Sequence, residues 1–365
     1  MSAAEPAAAA VLTIDLPAIV ANWRALVARH PAGPVAGVVK ADGYGLGAAV
    51  VASALHAAGC RHFFTAHLKE ALALCPLVPG AMLAVLNGLL PGTEAEYRAH
   101  EIIPVLGSLA EIALWRAEAA RAGATLPAIL HIDTGMSRLG LTEAEVAALA
   151  ADPALLAGIE LRFVMTHLVS AECAGDPLNE HQRARFAAAA DRLPPAPRSI
   201  ANSSGIFLGP RFASDLARPG AALYGINPVP GQPNPMRPVV RLTARVLSLR
   251  ALNPGESVGY NATWRAARPS RIATVAVGYA DGWPRSLTNR GIAFFDGRPL
   301  PLVGRVSMDL TTYDATDHPA LNVGDWLELI GPARPLADVA EAAGTNEYEI
   351  LTALGRRYHR VVVGA

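Results

Sequence analysis

The sequence predicts an α/β chain: a (β/α)8 barrel of the TIM type over residues 13–230, then a mostly β domain over residues 231–365, with residues 1–12 available to pair with that second domain. Three observations predict it. Short apolar runs alternate with amphipathic helical stretches through the first part of the chain, which argues for a parallel sheet. Eight such runs occur, the number an eight-stranded barrel needs. The texture then changes at Asn227, where the stretch to Pro238 holds five prolines and a glycine and reads as a domain-crossing loop.

In chain order, Val11–Ile14 reads as a short strand, and Asp15 caps a helix that carries Pro17 in its first turn and runs to about Ala28. The eight buried-strand runs are Val35–Val39, His62–Thr65, Met82–Leu86, Ile102–Val105, Ala128–Ile132, Leu161–Thr166, Ser199–Ala201 and Ser214–Ala217. Stretches such as Ala48–Ala58, Leu109–Ala122, Glu143–Ala150 and Asn179–Leu193 repeat apolar residues at three and four and are expected to be the intervening helices. An open doubly wound sheet is the alternative arrangement of the same elements. Beyond Pro238, Val239–Leu249, Ile272–Gly278, Gly291–Phe295, Arg305–Tyr313 and Asp325–Ile330 read as strands, and Arg334–Ala343 and Asn346–Leu354 as helices.

Composition narrows the function classes. The chain has 365 residues, 52% hydrophobic and 17% charged, enough for two domains with a large core. Lys+Arg and Asp+Glu are equal at 31 each, so there is no electrostatic case for nucleic acid or an anionic membrane surface. Cys60, Cys75 and Cys173 are odd in number and far apart, which suggests neither a disulfide framework nor a metal site and fits a reducing, cytoplasmic setting. The alanine-rich start lacks a basic region and a long apolar run, and no segment has the length to cross a bilayer.

The stretch from Pro34 to Gly47 runs as a short strand ending at Lys40, then a glycine-rich turn with Tyr44. A lysine whose surroundings lower its pKa can attack a carbonyl and form a Schiff base. From this stretch alone, a lysine that merely borders a surface loop is an equally good reading. Gly43, Gly45 and Gly47 lack the spacing of a dinucleotide loop, and no Gly-Lys-Ser/Thr follows.

Placed on the eight-strand reading, the unusual polar residues converge. Lys40 closes the first strand. Asp133, Thr134 and Arg138 follow the fifth, His167 the sixth, Asn202, Ser203 and Ser204 the seventh, and Arg218 and Gly220 the eighth. All lie at C-terminal ends, the face where barrel enzymes build their sites, and a phosphate commonly sits after the last two strands. Singly, each has a plain structural reading: a core histidine at His167, a solvated arginine at Arg138, capping by Asn202 and Ser203, a surface pair between Arg218 and Asp215. Those readings explain the joint pattern badly.

The motifs resemble those of a known family. They are Val38-Val39-Lys40-Ala41-Asp42-Gly43-Tyr44-Gly45, His131 to Gly140, Ala201-Asn202-Ser203-Ser204-Gly205, Arg218 to Gly225, Gly259-Tyr260-Asn261-Ala262-Thr263-Trp264, Gly278 to Gly282 and Gly304 to Asp309. Together they are similar to the fold-type III pyridoxal-phosphate enzymes, and within them to the alanine racemase family, over about Thr13 to Val363. The resemblance implies a cytoplasmic isomerase that interconverts L- and D-alanine for peptidoglycan, with pyridoxal phosphate as cofactor and no metal. It implies that Lys40 holds the cofactor covalently and that Tyr260 is the second base. Tyr260 reaches the barrel site of the other subunit in the family, so a head-to-tail homodimer is implied. Arg218 matches the arginine that donates to the pyridine nitrogen, and His167 the histidine that bridges to it. Tyr44, Ser203, Gly220 and Ala221 match phosphate-binding positions, with Asn202 beside them. Arg138 matches the arginine near the ring hydroxyl, and Tyr279, Met308 and Asp309 the mouth lined by the second subunit. Tyr358 is the nearest candidate for a C-terminal phosphate-binding tyrosine, although Arg356 takes the aligned place.

Two-base racemisation asks for a base on each face of Cα, and Lys40 and Tyr260 are the pair that carries a motif on each side. Free lysine and tyrosine titrate near pH 10, so each needs a lowered pKa to act near neutrality. The sequence departs from the family at His131, where many relatives carry a carbamylated lysine. A neutral imidazole cannot replace that anion beside Arg138, so a bound anion, a water or a different hydrogen bond is expected to orient the arginine. Three other readings remain in view: a racemase for serine or a broader range, a fold-type III decarboxylase, and a non-enzymatic pyridoxal-phosphate-binding protein. The decarboxylase would need an acidic partner at the ring nitrogen and a late catalytic cysteine, neither of which the sequence offers.

Overall fold

The computed structural model describes residues 7–364 and divides the chain into two compact units: the chain up to Pro17 together with Pro238 onward, and Ala18–Arg237. Strand β1 (Ala10–Asp15) belongs to the first unit.

The Ala18–Arg237 unit is built on a parallel sheet of seven strands: β2 (Gly37–Val38), β3 (His62–Thr65), β4 (Met82–Val85), β5 (Ile103–Leu106), β6 (Leu126–His131), β7 (Ile159–Met165) and β8 (Arg198–Ser199). Their order in the sheet is their order in the chain, because helices Ala48–Ala57, Leu68–Leu74, Glu94–Ala99, Leu109–Ala122, Glu143–Ala151 and Pro177–Ala190 each return the chain to the next position. Phe63, Phe64, Ala84, Val85, Val105, Leu106 and Ala128 to Leu130 are all buried, as expected of strands covered on both faces. Local chemistry fixes the helix starts. Ser108 Oγ accepts from Glu111 N at 3.2 Å, Thr142 and Glu145 form a capping box, and Asp176 accepts from Leu178 N just before Pro177.

The eighth run differs from expectation. Ser214–Ala217 is not a regular strand; it makes a single parallel bridge, Val35↔Ala217. Its neighbours still bond to both edges of the sheet. Ala36 N donates to Ala217 O, Ala217 N to Pro34 O, and Arg218 N to Ala201 O. The ladder is interrupted because the Asp215 carboxylate, not a carbonyl, accepts from Arg198 N, and because Pro219 has no N–H to give. The result is a TIM-like barrel with an irregular last stave.

The other unit is mostly β. Its spine is β9 (Val240–Leu252), which pairs with β1 and with the strands β12 (Ser270–Val275) and β16 (Trp326–Ile330). Between β9 and β12, β10 (Ser257–Val258) and β11 (Trp264–Arg265) form a separate two-stranded ribbon. β13 (Ile292–Phe295) and β14 (Arg298–Pro301) make a hairpin through Asp296-Gly297, both at positive φ, the two-residue turn such a dipeptide favours. β15 (Thr311–Asp314) pairs with β12, and β17 (His359–Val363) runs parallel to β1. Helices Leu336–Ala343 and Glu347–Ala353 complete the unit.

Candidate active site

Lys40 comes one residue after Val39, which follows the end of β2, and the chain after Lys40 takes a left-handed path. Ala41, Asp42, Gly43 and Tyr44 have φ of 54°, 53°, 62° and 55°. Three of these carry a Cβ, at a cost of roughly 1–2 kcal/mol each, and strain of this kind persists only where its surroundings hold it. Here Ala41 N donates to Glu70 Oε1 at 2.7 Å, Gly47 N to Asp42 O at 2.8 Å, and Ala48 N to Asp42 Oδ1 at 2.9 Å. Burial lowers the pKa of the Lys40 amine, the Arg138 charge lowers it further, and the Glu70 carboxylate opposes both.

Arg218 is buried, at 4% exposure. Its guanidinium donates to Ser199 Oγ and, at 2.5 Å, to Thr166 O. It makes no ion pair among the described residues, and the surface pairing with Asp215 is absent. Burial draws its pKa down to about 10, so it remains a cation at neutral pH. No hydrogen bond joins it to His167: the carbonyl one residue earlier takes the donor. Burial, followed by the Arg218 and Lys40 charges, holds His167 at about 3, so its ring is neutral.

Behind these groups lies a buried polar chain. Thr166 and Thr134 share a hydrogen bond of 2.8 Å between hydroxyls. Gln182, fully buried, donates to Thr134 Oγ1 and to His167 O and accepts from Val169 N. Sequence reading passed over Gln182 because its spacing suits an ordinary helix face. The sequence carried no signal for it, since Gln182 stands between His181 and Arg183 in a polar stretch.

Ser203, Gly220 and Tyr44 form a tight cluster. Ser203 Oγ accepts from Gly220 N at 3.1 Å and Ala222 N at 3.2 Å, and Ala221 opens the 3-10 turn Ala221–Tyr224. The Tyr44 ring stacks on Tyr224 with centroids 4.5 Å apart, and Tyr224 donates to Val38 O. A Cβ on Gly220 would stand 2.2 Å from the Tyr44 hydroxyl, so only glycine fits. Asn202 accepts from Gly205 N at 2.8 Å and so caps the next turn, which is the plain structural reading weighed above.

The Asp133–Arg138 loop is shaped by one carboxylate. Burial pushes the Asp133 carboxyl up, but N–H donors from Gly135, Ser137 and Met136 together hold it below its ordinary range. Arg138 is exposed and makes no ion pair or hydrogen bond with a described residue, so no carboxylate orients it. His131 is buried, and burial with the Arg218 charge lowers it to about 4.

The remaining candidates lie in the β unit. Tyr260 is 71% exposed on a turn where Gly259, Asn261 and Ala262 all have positive φ. Tyr279 (43%) and Met308 (54%) are also exposed, on loops joined by Tyr279 N to Ser307 O and Ala280 N to Met308 O. Gly278 permits that approach: its Cβ would lie 2.3 Å from Met308 O. Arg357, missed from sequence, binds Asp309 at 2.8 Å and Asp281 at 3.1 Å. The Tyr358 hydroxyl is buried with no hydrogen-bond partner among the described residues, and burial, followed by Asp281 and Tyr313, pushes its pKa up, so it keeps its proton.

Family models match both units, the alanine racemase N-terminal domain over residues 14–228 and the alanine racemase C-terminal domain over residues 239–362. The chain belongs to the alanine racemase family. It is 60% identical to an alanine racemase of Acidiphilium cryptum, over 96% of this chain and 98% of that protein. It is 50% identical to a catabolic alanine racemase of Mesorhizobium japonicum, over 99% and 95%. The crystal structure of the Bartonella henselae alanine racemase, with covalently bound pyridoxal phosphate, superposes with a TM-score of 0.95 at 44% identity, covering 98% of this chain and all of that one. Membership makes this chain an isomerase of a pyridoxal-phosphate-dependent family, an amino-acid racemase with alanine as substrate. Among the described residues no helix is long and apolar enough to cross a membrane, and no cluster of potential metal ligands occurs.

Proposed function

We propose that the chain racemises alanine by a two-base mechanism, with Lys40 and the partner subunit's copy of the Tyr260 side chain as the bases, in a cytoplasmic head-to-tail homodimer that supplies D-alanine for peptidoglycan. The observation that carries this reading is the Lys40 amine, held on a strained turn and lowered in pKa by burial and Arg138. The barrel-end groups fit pyridoxal phosphate: an amine for its aldehyde, a buried uncompensated cation in Arg218, and the close-packed Tyr44, Ser203, Gly220 and Ala221 for its phosphate. When bound, pyridoxal phosphate acidifies the Cα–H of an amino acid by drawing electrons into its ring.

The protein's own groups then set the outcome. Lys40 takes or returns the Cα proton on one face, and Tyr260 does so on the other. Arg218 keeps its proton, since arginine does not act as an acid at neutral pH. That leaves the ring a weaker electron sink, which favours prompt reprotonation over side reactions. Neutral His167 and His131 add no charge beside Arg218. Arg138, without a carboxylate partner, is free to meet the substrate carboxylate, oriented by an anion or a water. Asn202 supports the phosphate end through its turn. Tyr279, Met308 and Asp309 line the mouth, and their exposure with that of Tyr260 supports burial by a second copy.

Mixing two inactive variants tests the shared site. Lys40→Ala and Tyr260→Phe homodimers should both be inactive in racemising L-alanine. Their mixture, after subunit exchange, should regain activity, because one site in each hybrid has both bases. No recovery in a proven hybrid would sink the cross-subunit assignment.

A further inference from the structure

Glu70 is tied to the Lys40 turn and has no place in the chemistry above. It sits in the first turn of helix Leu68–Leu74, after β3. One oxygen of its carboxylate accepts from Ala66 N at 2.8 Å and His67 N at 3.1 Å, and the other from Ala41 N at 2.7 Å. The parallel ladder between β2 and β3 pairs Gly37 with Phe63 and Val38 with Phe64, and its last backbone bond is Val39 N to Phe64 O. Past that point the two strands diverge into loops, and the Glu70 carboxylate continues the link from β3 to the residue after Lys40. The turn it grips is the left-handed run Ala41–Tyr44, which ends on the tyrosine stacked against Tyr224.

We propose that Glu70 is a positioning residue: its carboxylate anchors the left-handed turn and thereby fixes the Lys40 amine at one end and the Tyr44 hydroxyl at the other. A left-handed turn of three non-glycine residues has no intrinsic preference for its shape. The bonds across it from Asp42 hold its far side, to Gly47 and Ala48. Glu70 holds its near side, next to the lysine. An ionised acceptor suits this task, because charge-assisted bonds to backbone N–H are the stronger kind. The proposal rests on the reading of Lys40 as the cofactor lysine for its functional consequence, but not for its structural one.

The test compares wild type, Glu70→Gln and Glu70→Ala, first without cofactor. Hydrogen exchange of the peptide spanning residues 40–48 should quicken by about 10-fold or more in Glu70→Ala, with smaller change in the rest of the barrel; loss of one charge-assisted bond is worth about that factor. Glu70→Gln keeps an acceptor for Ala41 N but offers an amide to the Ala66 and His67 donors, so its exchange should fall between the two. If Glu70→Ala does not fold, the glutamine variant alone carries the comparison. Pyridoxal phosphate titration should then show weaker binding in the same order, with kcat falling more than KM rises. Unchanged exchange over residues 40–48 in a folded variant overturns the anchoring. Faster exchange with unchanged cofactor binding and kcat keeps the anchor but overturns its link to Lys40 and Tyr44. If Lys40→Ala itself retains the cofactor, the reading of Lys40 fails independently of Glu70.

Discussion

Substituting Gly220 by alanine probes the tightest contact at the barrel end. Gly220 has φ of −118°, open to any residue, so the penalty is the new contact and not the backbone. The added Cβ would lie 2.2 Å from the Tyr44 hydroxyl and 2.9 Å from its ring carbon Cζ. Ordinary contact begins near 3.5 Å, so the tyrosine must retreat by roughly 1.3 Å. Its path is blocked: the ring stacks on Tyr224, which is 1% exposed and bonded to Val38 O at 3.1 Å. Overpacking of this kind costs about 1–3 kcal/mol of stability. If the displaced hydroxyl also loses a bond to an anionic phosphate, about 1.5–3 kcal/mol of cofactor affinity goes with it, or roughly 10- to 150-fold in Kd. Titration of apoprotein with pyridoxal phosphate, followed by absorbance, reads the affinity; denaturant unfolding reads the stability. Adding Gly220→Ala to Tyr44→Phe should cost much less than adding it to wild type, because the worst contact is gone. Affinity within twofold of wild type and unchanged stability in Gly220→Ala would refute the packing argument and the phosphate assignment together.

Lys40→Ala should lose the visible absorbance of bound cofactor and nearly all activity; retained activity would show that another group supplies the amine. For His131, burial holds the folded pKa near 4 against an unfolded value of about 6.5. Above pH 6.5 both states are neutral and stability is unaffected. As pH falls from 6.5 toward 4 the unfolded chain takes up a proton that the folded chain refuses, and stability drops by at most about 1.4 kcal/mol per pH unit from this residue. Denaturant unfolding of the apoprotein at pH 7, 6 and 5 should show a flatter slope in His131→Gln, and equal slopes would mean that His131 is protonated or exposed in the folded state.

Sequence alone made the strand–helix alternation legible because buried parallel strands write continuous apolar runs, and β2 through β7 lie where those runs fall. It failed at the last stave. Ser214–Ala217 has the right composition for a strand, but Asp215 and Pro219 divert its hydrogen bonds into side-chain and one-sided contacts. The helix caps at Ser108 and Thr142 act only on their own neighbours, a local pattern that the sequence carries although the expectations above did not name it. Groups that act across the fold leave no such pattern. Gln182 binds His167 O 15 residues away, Glu70 binds Ala41 N 29 residues away and Arg357 binds Asp281 76 residues away, and no local pattern shows those distant bonds. Tyr358 had no clean motif match to begin with, and the burial of its hydroxyl is a tertiary property that no local pattern carries.

Three carboxylates on the loops that carry Lys40 and Arg138, and on the helix after β3, are engaged by backbone amides. Asp133 is engaged by the amides of Gly135, Met136 and Ser137, Asp42 by Ala48, and Glu70 by Ala41, Ala66 and His67. Each is bound to backbone donors and none to a guanidinium or to the Lys40 amine. Arg138 and Arg218 therefore keep charges that no ion pair cancels, and His167 and His131 stay neutral first because they are buried and then because the Arg218 charge repels a further cation. Such a field favours ligands that bring their own negative charge, a phosphate at one end and a carboxylate at the other. It also favours the uncharged form of the lysine, the form that can act as nucleophile or base. The acidic residues thus serve the site by shaping its loops, and their bonds to backbone amides keep them out of direct ion pairs with its cations.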